Sequence, residues 1–247
     1  MTDKKFNRIF GAFIIIGMAL SICAVTAIKL GQNSGGKALL ILSAFASLMG
    51  AAGTVTSTTG RIWTFFFGFF DVSIYGIVCL INWYNGSSGL GNGLLHLLYF
   101  VPMQFIGFFQ WKKRGISEGS VQARRLNAKQ WGLCLLCFVA LSAAIYAILA
   151  VFDKSGAQDF IKIAVLLDVL PVVCNIIGQF LMSTAYMEQW FFWIAVNISS
   201  LFMWGHAYGQ NQDAFTLVYI IKYCFYLINS FNGLRIWWNR SAIKAKD

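Results

Sequence analysis

Eight long apolar runs, separated by short polar stretches, occupy most of the 247-residue chain. They lie near 10–28, 38–58, 62–84, 92–111, 131–152, 160–182, 189–207 and 214–237. The hydrocarbon core of a bilayer is about 30 Å thick, so a crossing helix needs roughly 20 mainly apolar residues. Backbone N–H and C=O groups cannot stay unpaired in lipid, so runs of this length must be helical. The pattern predicts an all-α integral membrane protein with eight transmembrane helices. Hydrophobic residues make up 58% of the chain and charged residues 11%, which excludes an ordinary soluble domain. The longest polar stretch, 112–130, is too short to fold alone. Any ligand chemistry is therefore expected between helices.

The net charge of +10 could suggest nucleic acid, but its distribution argues otherwise. Fourteen of the nineteen Lys and Arg residues fall on one side of the alternating spans: Lys4, Lys5 and Arg8, then Arg61, six in 112–130, and four from Arg235 onward. Four fall on the other side (Lys29, Lys37, Lys154, Lys162), and Lys222 lies within a span. The positive-inside rule then predicts both termini in the cytoplasm, with the basic segments beside anionic lipid headgroups. No nucleic-acid partner is expected. The basic segment before the first run also fits a signal peptide, but the run is long for one, and a retained helix is expected. Six cysteines all fall within apolar spans and read as packing residues, the Cys134-x-x-Cys137 pair included. With no histidine cluster and no Gly-rich phosphate loop, neither a metal nor a cofactor is expected.

A weak internal repeat appears at an offset of 126 residues. It pairs Ser57-Thr58 with Ser183-Thr184, Phe65-Phe66 with Phe191-Phe192, Ser73 with Ser199, Asn85 with Asn211, Phe105 with Phe231, Gly107 with Gly233, and Trp111 with Trp237. It lays spans 2–3–4 over spans 6–7–8, with span 5 between them. One intervening helix gives both triplets the same orientation, a parallel repeat like that of the SWEET-type carriers. The expected organisation is a single transmembrane domain over 1–247: an N-terminal tail and extra helix (1–37), a first three-helix repeat (38–111), a basic loop and linker helix (112–159), and a second repeat with a tail (160–247). Pro102 and Pro171 both lie within spans, where each predicts a kink that could be a static bend or a hinge.

Polar residues inside spans carry the functional signal, because each is costly there. Span 6 places Asp168, Asn175 and Gln179 on one face, and span 7 aligns Trp190, Trp193, Asn197, Ser200 and Trp204. The 126-residue offset matches Asp71 of span 3 with Asn197. Span 4 adds Gln104 and Gln110, and span 8 adds Lys222, Asn229 and Asn232. Singly, each could be an interhelical hydrogen bond worth about 0.6–2 kcal/mol. Together they resemble a lined cavity near mid-bilayer depth. Amides both donate and accept, which suits hydroxyls and a carboxamide, and indole rings suit a flat, cationic heterocycle. With no deep arginine, a phosphate-bearing ligand is poorly matched. Lys222 is expected to pair with Asp71 or Asp168, or to snorkel. An aspartate could carry a coupling proton, but one per half without a dense relay favours a structural pair. His96 and His206 are expected as interfacial or gate-lining residues, structural rather than ligands. Trp83, Trp111, Trp131, Trp237 and Trp238 sit at span ends, where an interfacial belt is expected for most.

The stretch Pro102-Met-Gln104-Phe-Ile-Gly107-Phe-Phe-Gln110-Trp111-Lys-Lys resembles the fourth-helix signature of the PnuC nicotinamide riboside transporter family. The run Gln189-Trp190-Phe-Phe-Trp193-Ile-Ala-Val-Asn197 resembles its second-half counterpart, and the segment ending Gly233-Leu-Arg-Ile-Trp237 is similar to its last helix. The resemblance spans about residues 40–240. It implies an inner-membrane carrier with a SWEET-like core that takes up nicotinamide riboside by facilitated diffusion, trapped afterwards by phosphorylation. Gln104, Trp193 and Asn197 match the family's binding-helix motifs, while Gly107 and Trp111 match packing positions. Helical facing adds Tyr226 and Asn229 on span 8. The expected substrate-binding set is Gln104, Trp193, Asn197, Asn175, Gln179, Asp71, Tyr226 and Asn229.

Other readings stay open: a sister vitamin carrier for thiamin or riboflavin, a proton-coupled carrier, or a receptor without transport. An enzyme would need a nucleophile–base pair or a metal cluster, and the sequence has no such pattern. The expected partners are the small-molecule substrate and membrane lipid, and assembly as a homo-oligomer is left open.

Overall fold

A computed structural model of the chain describes residues 3–31, 36–84, 90–117, 119–152, 163–211 and 214–243. They form α1 (Asp3–Gly31), α2 (Lys37–Thr58), α3 (Trp63–Tyr84), α4 (Leu90–Leu95), a π-helical turn (His96–Phe100) that runs into α5 (Val101–Arg114), α6 (Ala128–Phe152), α7 (Ile163–Ser183), α8 (Gln189–Asn211) and α9 (Ala214–Ile243). A two-stranded hairpin, β1 (Ile116–Ser117) and β2 (Ser120–Val121), interrupts the helices. Helices therefore occupy the apolar runs. Among the described residues, five stretches are long and apolar enough to cross a membrane: Asp3–Gly31, Lys37–Thr58, Trp63–Ile81, Gly93–Arg114 and Ala128–Ile148. Val169–Ser183 of α7 is a shorter apolar stretch. In α8 and α9, Asn197, Lys222, Asn229 and Asn232 interrupt the apolar character.

Helix contacts close a ring. α2 packs on α3 and α9, α3 on α5, α5 on α7, α7 on α8, and α8 on α9. α1 lies outside the ring against α2 and α9, seating Ile14, Met18 and Ile22 fully buried. α6 packs on α7 and turns Leu133, Leu135, Leu136 and Val139 outward. That exposure suits an acyl-chain environment, where an outward leucine carries no cost.

The two halves share a local construction at one end of the ring. α2 ends in a Schellman turn: Gly60 (φ +69°) donates to the Ser57 carbonyl and Arg61 to that of Thr56. α7 ends the same way, with Ala185 at φ +62° donating to Met182 and Tyr186 to Leu181. An alanine in the left-handed region costs about 1–2 kcal/mol, so the surrounding contacts hold it there. These turns align at an offset of 125, one residue less than the 126 read from the sequence. The shift pairs Phe65 with Trp190.

Beyond the turns the offset returns to 126, and the closing tryptophans cross between halves. Trp111 Nε1 donates to the Met182 carbonyl at 2.9 Å, and Trp237 Nε1 to the Ser57 carbonyl at 3.0 Å. Gly107 and Gly233 leave room for the rings of Phe65 and Trp190, into which any Cβ would drive. Trp111, Trp190 and Trp237 are consequently among the largest fully buried side chains. Trp111 and Trp237 thus do not belong to an interfacial belt, whereas Trp131 and Trp238 are exposed. The side chain of Trp83 lies outside the described residues.

The polar stretch after α5 is a strap across this end. Val121 donates to the Gly60 carbonyl, Arg124 to that of Ala185, and Met187 back to Arg124. Arg125 reaches Ser241 and the Trp238 carbonyl, with its guanidinium 4.3 Å from the Trp238 ring. Arg240 bonds the Thr59 carbonyl, and Arg235 meets Asn7 and Asp3 of α1. The basic segments counted on one side in the sequence thus converge on one end of the ring.

Candidate functional site

Inside the ring lies a cavity of about 150 Å³ bounded by α2, α3, the π turn, α5, α7, α8 and α9. Gln104, Asn175, Gln179, Trp193, Asn197, Asp71 and Tyr226 all line it. These residues come from five helices, and seven of the eight expected site residues meet at one place. The reason is physical: polar groups in a membrane-type bundle are driven to face each other or an internal space.

Each amide is held by its nitrogen. Gln104 Nε2 donates to the Phe100 carbonyl at 3.2 Å, within the widened turn that precedes Pro102. Proline lacks the N–H for the next helical bond and crowds the preceding carbonyl, so a wider turn relieves both. Gly68 faces the Gln104 amide, whose Oε1 lies 2.6 Å from where a Cβ would stand. On α7, Asn175 Nδ2 donates to the carbonyl of Pro171 (2.9 Å), and Gln179 Nε2 donates to Ser183 Oγ (3.3 Å). On α8, Asn197 Nδ2 donates to Ser230 Oγ at 2.9 Å. Trp193 packs beside Gly178 and against the tryptophan core.

The charged pair sits on the same wall. Lys222 Nζ lies 2.7 Å from Asp71 Oδ1, with side-chain exposures of 5% and 15%. Tyr226 Oη donates to Asp71 Oδ2 at 3.3 Å. The rings of Tyr226, Tyr75 and Tyr219 stand 5.2, 5.5 and 5.9 Å from the ammonium. Burying either charge alone would be costly, so pairing and ring contacts are what permit Lys222 here. Of the partners expected for Lys222, the structure selects Asp71. The Asp168 side chain lies outside the described residues, as does that of His206. Gly50 of α2 packs directly against this pair, and a Cβ there would collide with Tyr226 Oη and the Asp71 carboxylate.

Asn229 is the exception. Its amide donates to Thr58 Oγ1 at 2.8 Å and Thr54 Oγ1 at 3.1 Å, tying α9 to α2 rather than facing the cavity. Helical facing puts Asn229 in the binding set, but it does not reveal the α2 threonines that take up its amide. The structure also adds cavity residues that the sequence reading did not use as such: Thr64, Phe100 and Ser230, with His96 on the π turn. Outside the cavity, Glu188 is 2% exposed in the α7–α8 turn, accepting the Leu126 N–H at 3.0 Å. Burial raises its carboxyl above the ordinary carboxylate value, against the opposing pull of the Leu126 N–H, its own backbone N–H and Arg125.

Comparison with known proteins gives a consistent result. The family profile described as nicotinamide mononucleotide transporter matches residues 40–239. The chain is 31% identical over 201 residues to the nicotinamide riboside transporter PnuC of Neisseria mucosa, covering 79% of this chain and 71% of that protein. It is 32% identical over 199 residues to the protein of the same name from Haemophilus influenzae, covering 79% and 78%. The crystal structure of a vitamin B3 transporter PnuC superposes with a TM-score of 0.71 at 27% identity, covering 97% of this chain and 92% of that one.

Proposed function

The chain belongs to the nicotinamide mononucleotide transporter family, and on that premise we propose that it carries nicotinamide riboside across a bacterial inner membrane. The observation that carries this reading is the composition of one cavity: amides from three helices, indole and phenol rings, and an ion pair that is already neutral as a unit. Nicotinamide riboside presents a flat cationic ring, a carboxamide and ribose hydroxyls. Rings take the pyridinium face, and amide groups donate to and accept from the carboxamide and hydroxyls. A phosphate would need a cation free to pair with it, and Lys222 is engaged with Asp71. This favours the dephosphorylated nucleoside over its mononucleotide and other phosphate-bearing relatives.

The substrate-facing set we assign is Gln104, Asn175, Gln179, Trp193, Asn197, Asp71 and Tyr226. Eight membrane-spanning segments in a 3 + 1 + 3 core with one extra helix accommodate the ring of six contacting segments. The crossed indole bonds of Trp111 and Trp237 support a parallel repeat. Alternating access then follows from rocking one triplet against the other about the cavity. The basic end of the ring faces the cytoplasm by the positive-inside rule. A compensated Asp71–Lys222 pair favours a uniport in which later phosphorylation holds the nucleoside inside. Counterflow of labelled nicotinamide riboside into proteoliposomes tests the reading. Counterflow that persists with the proton gradient collapsed is expected; binding without counterflow would make the protein a receptor, and dependence on the gradient would overturn the uniport.

A further inference from the structure

Gln104, Asn175, Gln179 and Asn197 line the cavity, and each is anchored through its nitrogen. For three of them the partner leaves no alternative. The Phe100 and Pro171 carbonyls can only accept, so Gln104 and Asn175 must turn nitrogen toward them. Ser183 Oγ gives its proton to the Met103 carbonyl at 3.3 Å, so it accepts from Gln179. Asn197 donates to Ser230 Oγ in the same way. An amide held by nitrogen cannot turn end for end without breaking that bond, so its oxygen keeps its place away from the anchor. On Gln104 that oxygen lies over Gly68, itself a cavity residue.

Two hydroxyls on the wall also spend their protons within the protein. Thr64 Oγ1 donates to the Gly53 carbonyl at 2.9 Å, and Tyr226 Oη donates to Asp71 Oδ2. Each keeps lone pairs for a further partner. Asp71 adds a carboxylate, and Lys222 commits a proton to it at 2.7 Å. The Trp193 indole N–H is one neutral donor set among these oxygens.

We propose that the anchored amides make this wall an accepting surface that selects a ligand through its donors: the carboxamide of a pyridinium nucleoside is admitted, and a carboxylate at the same ring position is rejected. The inference rests on the nucleoside-carrier reading and narrows it. Ser183 and Ser230 are positioning residues, because they fix which end of Gln179 and Asn197 meets the ligand. Ser183 is itself fully buried and acts through Gln179. A carboxylate makes no hydrogen bond to amide oxygens, and Asp71 repels it. Carboxylates ordinarily titrate below pH 5, so at neutral pH the acid has no proton to offer in place of the carboxamide N–H.

Calorimetric titration of the purified full-length protein with nicotinamide riboside and with nicotinic acid riboside at pH 7.5 tests this. The acid is expected to bind at least about thirtyfold more weakly, the scale of loss when a buried charged group is left without its hydrogen bonds. Ser183→Ala frees Gln179 to turn its nitrogen inward, and the ratio of the two Kd values should narrow at least about threefold. Ser230→Ala gives the same readout through Asn197 if the first variant does not fold. A serine with a structural role alone would shift both Kd values together and leave their ratio unchanged. An acid that binds as tightly as the amide or tighter, or an unchanged ratio in the folded serine variants, overturns the inference and leaves the carrier reading intact. No binding of either riboside by the wild type overturns the carrier reading and this inference with it.

Discussion

Replacing Asp71 by asparagine removes one half of a charge pair that the fold holds almost out of solvent. Lys222 would keep the faces of Tyr75, Tyr219 and Tyr226 but lose the carboxylate 2.7 Å away. Breaking a buried pair from one side costs about 3–5 kcal/mol. Here Asp71 retains 15% of its side-chain exposure and ring contacts remain, which puts the cost at the lower end, about 3 kcal/mol. Lys222→Met should cost a similar amount, because Asp71 is left with the Tyr226 hydroxyl at 3.3 Å. The double variant Asp71→Asn/Lys222→Met buries no unpaired charge and is expected within about 1 kcal/mol of the wild type. Thermal unfolding in detergent, read by the fluorescence of the nine tryptophans, measures all four proteins. At about 2–4 °C per kcal/mol for a chain of this size, each single variant should melt about 6–12 °C lower. Single variants within about 1 kcal/mol of the wild type, or a double variant whose loss equals the sum of the singles, would refute the pairing argument.

Trp237→Phe and Trp111→Phe should each lower stability by about 1–3 kcal/mol in the same melts, since each removes a buried indole donor and leaves a gap. Equal melting temperatures would mean the crossed bonds do not hold the halves together. Gly68→Ala forces the Gln104 amide to move and should weaken nicotinamide riboside binding about tenfold with the melting temperature nearly unchanged; an unaltered Kd would remove Gln104 from the site. Glu188 has a folded-state pKa raised by burial, so the folded protein binds this proton more tightly than the unfolded chain. Its contribution is present below the ordinary carboxylate value and is lost as pH rises through the folded value. The stability of the wild type relative to Glu188→Gln should therefore fall across that window, and parallel stability curves would contradict it.

Much of the site was legible because polar groups stand out in an apolar helix. Asn175, Gln179, Gln104 and Asn197 are expensive to leave facing lipid, so their convergence follows from cost alone. What lay hidden depended on partners distant in sequence. Asn229 faces α2 as its helix dictates, but Thr54 and Thr58 decide that its amide bonds there. The choice of Asp71 for Lys222 needed the approach of α2 at Gly50. Trp111 and Trp237 look like belt residues from their place at span ends, until the turns at Ser57 and Met182 supply buried carbonyls. The register shift between halves arises because the Gly60 and Ala185 turns align one residue earlier than the tryptophans that close on them. Glu188 carried no sequence signal at all, since only the strap residue Leu126, distant along the chain, explains its burial.

Competition between nicotinamide riboside and its 5′-phosphate for the purified protein tests the central claim most directly, that amides and rings surround a space whose cation among the described residues, Lys222, is already paired. The account predicts at least about tenfold tighter binding of the riboside, and Trp193→Ala and Asn197→Ala should weaken that binding while the fold persists. Tighter binding of the phosphate, or riboside affinity indifferent to both substitutions, would contradict it.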